Sequence, residues 1–370
     1  MRFADIPGHH ELKEALRSSF RRNHLAHAQL FLGQEGSAVL PLSIAFASYL
    51  LCERKTEDDS CDECPTCHKM AKLIHPDTHF FFPKPSAKAD PAKAAQTAKL
   101  WREFLAQQPY GNLASWLHFA DLENKLVQIS KDDSRKLIQT LSLKPFEADH
   151  KVIFIWYPEL MHSSAANAIL KVLEEPPDHT LYILVSYNIE QIITTITSRT
   201  QLVQVPPFAD TEVKQYLLDM GVSSSEAETI ARISDGSLLK AQALTDNTED
   251  MAYDDFQSWM RVCFKKDYAQ LVKLSEEFAQ TGRANQVNRL RFALNLLREA
   301  VIAKAEESNL QRAAAKELEF IKNFSKAVAF EILESIIQLV NDCIYHLERN
   351  ANPRIAHLNL SIKVSDLLKK

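Results

Sequence analysis

Short apolar runs alternate with 3.6-residue stripes along the first 207 residues, and the alternation stops there. The runs at 28–32, 78–82, 126–129, 152–156, 181–186 and 202–205 read as strands. With helical patterns between them they predict an α/β domain built on a mainly parallel sheet, helices on both faces. The segment 163–177, SSAANAILKVLEEPP, predicts a helix with visible ends. Ser163 or Ser164 supplies its cap, and Ala165, Ala168, Ile169, Val172 and Leu173 form its buried stripe. Pro176-Pro177 forbids continuation. KPSAKADPAKAAQTAK, residues 84–99, is rich in Lys, Ala and Pro and reads as an exposed loop or insertion. Pro206-Pro207 marks a hinge, after which 210–245 reads as a small helical unit. Beyond about residue 250 no strand pattern persists. Val287, Leu290, Leu294, Leu297 and Val301 form one stripe there, and Ile332, Ile336, Leu339, Val340 and Cys343 a second, which predicts the core of a helical bundle. The chain thus divides at 1–207, 208–247 and 248–370.

A length of 370 residues exceeds what one core organises, in keeping with that division. The net charge of −5 gives no global attraction to nucleic acid, so any DNA contact needs a local patch. The opening MRFADIPGHHELKEAL has no signal-type apolar run and no segment approaches a membrane span, which favours the cytoplasm.

Cys52, Cys61, Cys64 and Cys67 fall in the pattern C-x8-C-x2-C-x2-C. In a reducing compartment such clusters bind metal more often than they form disulfides. Four sulfurs suit tetrahedral Zn2+ with no open position, hence a structural site within about 52–67. His68 and His75 are spare ligands nearby; Cys263 and Cys343 lie in helical stripes as apolar residues. A zinc-dependent nucleic-acid-binding module would need a basic, aromatic face. Glu53, Glu57, Asp58, Asp59, Asp62 and Glu63 oppose that reading.

The strand at 28–32 leads into GQEGSAVLP and an apolar helix, the context of a phosphate-binding loop. An active loop reads G-x-x-x-x-G-K-[ST], in which backbone N–H groups and the lysine hold phosphate and the hydroxyl holds Mg2+. Gly33 and Gly36 remain, but Ala38 stands for the third glycine, Val39 for the lysine and Leu40 for the hydroxyl. Such a loop makes the turn without balancing a triphosphate.

The LEEPP helix, followed one strand later by Ser198-Arg199-Thr200, resembles the AAA+ clamp-loader subunits of bacterial DNA polymerase III. In that family NALLKxLEEPP precedes a strand and a Ser-Arg-Cys motif; here Thr200 replaces the cysteine. The resemblance spans roughly the first 240 residues and includes the cysteine module. It implies an AAA+ α/β domain at 1–207, a helical lid at 208–247 and an all-α collar at 248–370. Active relatives end the strand before the LEEPP helix in Asp-Glu, whereas the register here gives Trp156 and Tyr157, with no carboxylate until Glu159. Leu239 stands at the lid position usually held by arginine, beside Lys240, and Asn188 fits the sensor-1 position but reads best as a turn residue. The resemblance therefore implies a subunit without ATPase activity of its own, with no ATP bound productively. Its partners would be tau/gamma ATPase and delta subunits, acting on a sliding clamp and primed DNA. Arg199, flanked by Ser198 and Thr200, would project into a neighbour's ATP site as an arginine finger. An active tau/gamma-type motor is the alternative, and Val39, Leu40, Trp156 and Tyr157 argue against it.

Overall fold

The computed structural model describes residues 1–85, 91–123, 125–141, 144–245, 248–304, 315–349 and 351–368. The chain falls into two compact units, one of residues 1–220 and 236–239, the other of 221–235 and 240–370.

The first unit opens with α1 (His10–Arg21), β1 (Ala28–Leu32), α2 (Val39–Leu51) and α3 (Pro65–Ala71). Then follow β2 (Thr78–Phe81), β3 (Lys84–Pro85), α4 (Pro91–Gln107), α5 (Leu113–Phe119), β4 (Val127–Gln128) and α6 (Lys131–Leu141). It continues with β5 (Lys151–Trp156), α7 (Ser163–Glu174), β6 (Thr180–Ser186), α8 (Thr194–Thr197), β7 (Gln201–Gln204) and α9 (Asp210–Asp219). Five strands form one parallel sheet in the order β2-β5-β6-β1-β7. Every residue of β1, β5 and β6 is buried, which is why they read as mostly apolar runs without alternation: a parallel sheet is covered on both faces. Leu30, Ile153, Ile155, Tyr182 and Leu184 pack on one face with Ile169 and Leu173 of α7. All thirteen residues of α2 are buried, Phe46 against Phe31 of β1 at 6.4 Å between ring centres.

Three expectations need correction. The run at 126–129 is not a strand of the main sheet. Val127–Gln128 instead pairs antiparallel with Lys84–Pro85, because so short a run carries no information about its partner. Within 84–99, residues 86–90 lie outside the described residues, but from Pro91 the segment is helical. Proline is tolerated in a first helical turn, and the Ala/Lys run that follows has high helix propensity. Trp101, Phe104 and Leu105, further along α4, bury fully and anchor it. Finally, His162 rather than Ser163 or Ser164 caps α7, its Nδ1 accepting from Ser164 N at 3.2 Å. The helix buries Ala165, Ala166, Ile169 and Leu173, leaving Ala168 and Val172 half-buried.

Buried Asp77, just before β2, accepts from the backbone N–H groups of Phe146, Glu147 and Ala148 at 2.5, 2.8 and 2.9 Å. Burial alone pushes its carboxyl up, but the Ala148, Phe146 and Glu147 donors outweigh it and hold Asp77 below the usual carboxylate range. This stability contribution is full above the unfolded carboxyl's range and is lost as pH falls through the lower folded value. Asp77→Ala, which orphans three donors, is expected to cost on the order of 3 kcal/mol at neutral pH. Denaturant melts of wild type and variant should converge in acid; a pH-independent difference removes the linkage.

The second unit is helical throughout its described residues: α10 (Ser224–Ser234), the part of α11 (Leu238–Thr245) beyond Leu239, and α12 (Thr248–Lys265). Then come α13 (Tyr268–Gln280), α14 (Arg283–Lys304), α15 (Ala315–Ala327), α16 (Phe330–Glu348) and α17 (Pro353–Leu367). Both predicted stripes join one core: Val287, Leu290, Leu294 and Leu297 of α14 are buried with Ile336, Val340 and Cys343 of α16. Val301, Ile332 and Leu339 pack at its margin. Among the described residues no helix is long and apolar enough to cross a membrane.

Candidate functional site

β1 runs into the turn Gly33–Ala38 and then α2, the strand–loop–helix geometry of a phosphate cradle. Gly36 sits at φ +81, a left-handed conformation that side chains rarely adopt. At Gly33 a Cβ would fall 2.6 Å from Val205 O and from Val39 Cγ2. Both glycines thus keep backbone jobs. The chemistry that should follow is absent: Ala38 and Val39 are fully buried and Leu40 nearly so. The loop's only charged side chain, Glu35, is anionic. Asn112 Nδ2 donates to Glu35 Oε2 at 2.7 Å, and Tyr157 OH donates to Oε1 at 3.2 Å. Leu113 N in turn donates to Tyr157 OH at 3.1 Å, so the start of α5 closes over the loop. Ser237 Oγ donates to Glu35 O at 3.0 Å, and Leu238 N to Gly36 O at 2.9 Å.

The end of β5 is where an acidic pair would stand. Trp156 and Tyr157 are buried there, Tyr157 at φ 55. Burial, reinforced by Glu35, raises the Tyr157 phenol well above its ordinary value, so it stays neutral and donates. Trp156 packs among Trp101 and Phe104 of α4, at 4.8 and 6.2 Å between ring centres, and its Nε1 donates to Tyr187 OH at 3.2 Å. Glu159 is half-buried, receives Ser186 Oγ on both oxygens at 3.1 Å, and is pushed up to about 7 by desolvation. A single carboxyl half-protonated near neutrality does not replace a pair of Mg2+-ligating acids. Asn188 Oδ1 accepts from Glu190 N at 3.0 Å, a local turn bond, as its sequence context suggested. Lys240 Nζ donates to Ile233 O at 2.7 Å.

Arg199 follows α8. Its guanidinium pairs with Glu174 at the end of α7, Nε donating to Oε1 at 2.8 Å and Nη2 to the same oxygen. Nη1 donates to Thr195 O at 2.9 Å and Ser198 Oγ at 3.3 Å. Thr200 Oγ1 donates to Ile196 O and Thr197 O, both at 3.2 Å, tying down the turn. The two motifs that define the sequence resemblance therefore touch through an ion pair, 25 residues apart. Nothing in the sequence pattern announced that pair, nor the roles of Glu35 and Asn112.

Cys52 ends α2, and Cys64 caps α3 with Sγ accepting from Cys67 N at 3.4 Å. With Cys61 and Cys67 they bring four sulfurs within 4.8 Å of one another. Four sulfurs about 2.3 Å from a tetrahedral zinc stand about 3.8 Å apart. Cys52–Cys64 and Cys61–Cys67 are separated by 4.0 and 3.9 Å, whereas a disulfide needs about 2 Å. The donor set fits a structural zinc site. Backbone N–H of Glu63 holds the Cys61 thiol down to about 6, while burial pushes Cys52 and Cys67 up. A metal takes these sulfurs as thiolates, so metal binding at this site releases protons. His75 stands apart, its Nδ1 accepting from Asp77 N. Asp59 accepts from Phe3 N and Ala4 N at 3.1 and 2.8 Å, docking the acidic loop on the chain's first residues.

Comparison with known proteins places this geometry. The family model described as "DNA polymerase III, delta subunit" matches residues 8–209. The subunit delta' of Bacillus subtilis is 23% identical over 72% of this chain and 63% of that protein. The subunit delta' of Pseudomonas aeruginosa is 29% identical over 59% of this chain and 56% of its own length. The subunit tau of B. subtilis is 23% identical over 68% of this chain and 38% of its own. The chain thus spans less than two thirds of each of these relatives.

Proposed function

Because the chain belongs to the DNA polymerase III delta subunit family of AAA+ clamp-loader proteins, we propose that it is a delta-prime subunit, one that supports clamp loading without hydrolysing ATP. The observation that carries this reading is the closed phosphate loop. Val39 and Leu40 are buried where a lysine and a hydroxyl would act, and Glu35 is bound by Tyr157 and Asn112. Phosphate approaching this turn meets an anion instead of a cation. Trp156 and Tyr157 in place of an acidic pair support the same reading. In the assembly this subunit works beside tau/gamma ATPase and delta subunits, with the helices of 248–370 as the collar and 208–247 as a lid. The complex opens a sliding clamp and places it on primed DNA, and the cysteine module holds Zn2+ as a structural element. Arg199 serves a neighbour's nucleotide as an arginine finger.

The test is thermal. A ligand at a hundred times its Kd stabilises by about 2.7 kcal/mol, a shift any melt detects. Millimolar Mg-ATP is expected to leave the Tm of the isolated chain unchanged, and Val39→Lys alone is expected not to restore hydrolysis. A clear rise in Tm with Mg-ATP would favour a tau/gamma-type motor. Failure to co-purify with the cell's clamp-loader subunits would remove the family role itself.

A further inference from the structure

We propose that Glu174 is a latch that withholds Arg199 from the neighbouring nucleotide until the assembly is engaged. The inference rests on the arginine-finger reading and deepens it. Arg199 is satisfied within its own chain: Nε and Nη2 on Glu174 Oε1, Nη1 on Thr195 O and Ser198 Oγ. An arginine finger works by presenting uncompensated positive charge to phosphoryl oxygens. With a carboxylate on its Nε/Nη2 edge, Arg199 presents little net charge. An approaching phosphate also meets the like charge of Glu174. Carboxylate and phosphate compete for the same planar fork, so engagement exchanges one anion for the other.

The pair is suited to such exchange. Both side chains are partly solvent-exposed, 33% for Arg199 and 50% for Glu174, so breaking it leaves no buried charge behind. An exposed pair shifts an equilibrium only modestly, by about two- to fivefold. That is enough to hold back a resting rate and too little to oppose a bound triphosphate. Glu174 sits at the last turn of α7 and Arg199 just beyond α8, so relative movement of these two helix ends makes or breaks the contact.

The test uses the full complex, reconstituted from its own subunits, with this chain carrying Glu174→Gln, Arg199→Ala, both together, or Glu175→Gln as an exposed neighbouring control. Glu174→Gln is expected to raise ATPase about two- to fivefold in the absence of clamp and DNA. It should leave kcat at saturating clamp and DNA at the wild-type value, with a lower KM for ATP. In the Arg199→Ala background Glu174→Gln should add nothing. If Glu174→Gln matches wild type, or lowers the rate as Arg199→Ala does, the latch is overturned while the finger stands. If Arg199→Ala itself matches wild type, the finger reading fails and the latch with it.

Discussion

Gently purified protein is expected to carry about one Zn2+ per chain, and stripping it should unfold the segment around Cys52, Cys61, Cys64 and Cys67 while the parallel sheet persists. Structural zinc in small sites contributes about 10–16 kcal/mol of apparent binding free energy. α3 is seven residues long, and three of the four thiols lie in its cap, its first turns or the loop before it. Without metal, what remains includes a few N–H bonds to sulfur, the Asp59 bonds to Phe3 and Ala4, the Thr66–Glu53 bond and ion pairs of Arg17 with Asp58 and Lys69 with Glu147. Hydrogen exchange with and without chelator should show protection lost across 52–71 and retained in β1, β5 and β6. Cys64→Ser should reproduce the loss, since Cys64 is both a sulfur of the cluster and the cap of α3. Metal analysis that finds none, in protein purified without chelators, would end the proposal. No intrinsic chemistry should be lost with the metal, because four sulfurs leave no open position.

Arg199→Ala should leave the chain folded and able to assemble, because its ion pair with Glu174 is partly solvent-exposed. The effect belongs to the complex. Removing an arginine finger costs about 10³–10⁵ in rate at the ATP site it serves. Other subunits would hold their own fingers, so clamp- and DNA-stimulated ATPase should fall only by the share of that one site. Clamp loading should fall with it. Arg199→Lys should recover little, since an ammonium cannot reproduce the planar fork. Steady-state ATPase and loading assays on the reconstituted complex decide the matter, and wild-type rates for Arg199→Ala would refute the role.

Much of this was legible in the residues because long patterns carry their own confirmation. The runs that became β1, β5 and β6 are buried from end to end, and the stripes of α14 and α16 fill one helical core. The cysteine spacing was enough to foresee one cluster. Short or punctuated segments misled. Val127–Gln128 is too brief to show that its partner is Lys84–Pro85, and Pro91 reads as a breaker although it sits in a first helical turn. Contacts between distant side chains were illegible. The Glu35 bonds to Asn112 and Tyr157 span 77 and 122 residues, and no periodicity encodes them. What the sequence disclosed was the missing lysine and acids. It could not disclose the bonds that tie Glu35 to Asn112 and Tyr157 there.

The helix α2 begins at the closed phosphate loop and ends at Cys52, the first of the clustered sulfurs, with its whole length buried between. In mechanical terms it is a beam clamped at both ends. A helix whose leading end answers to a nucleotide behaves as a lever, swinging as the ligand comes and goes. Here the turn before the leading end is held by the Glu35 bonds to Asn112 and Tyr157, and the trailing end runs into the cysteine cluster, so both supports come from the chain itself. In the proposed delta-prime role, a helix held this way would supply stiffness to an assembly whose other subunits move.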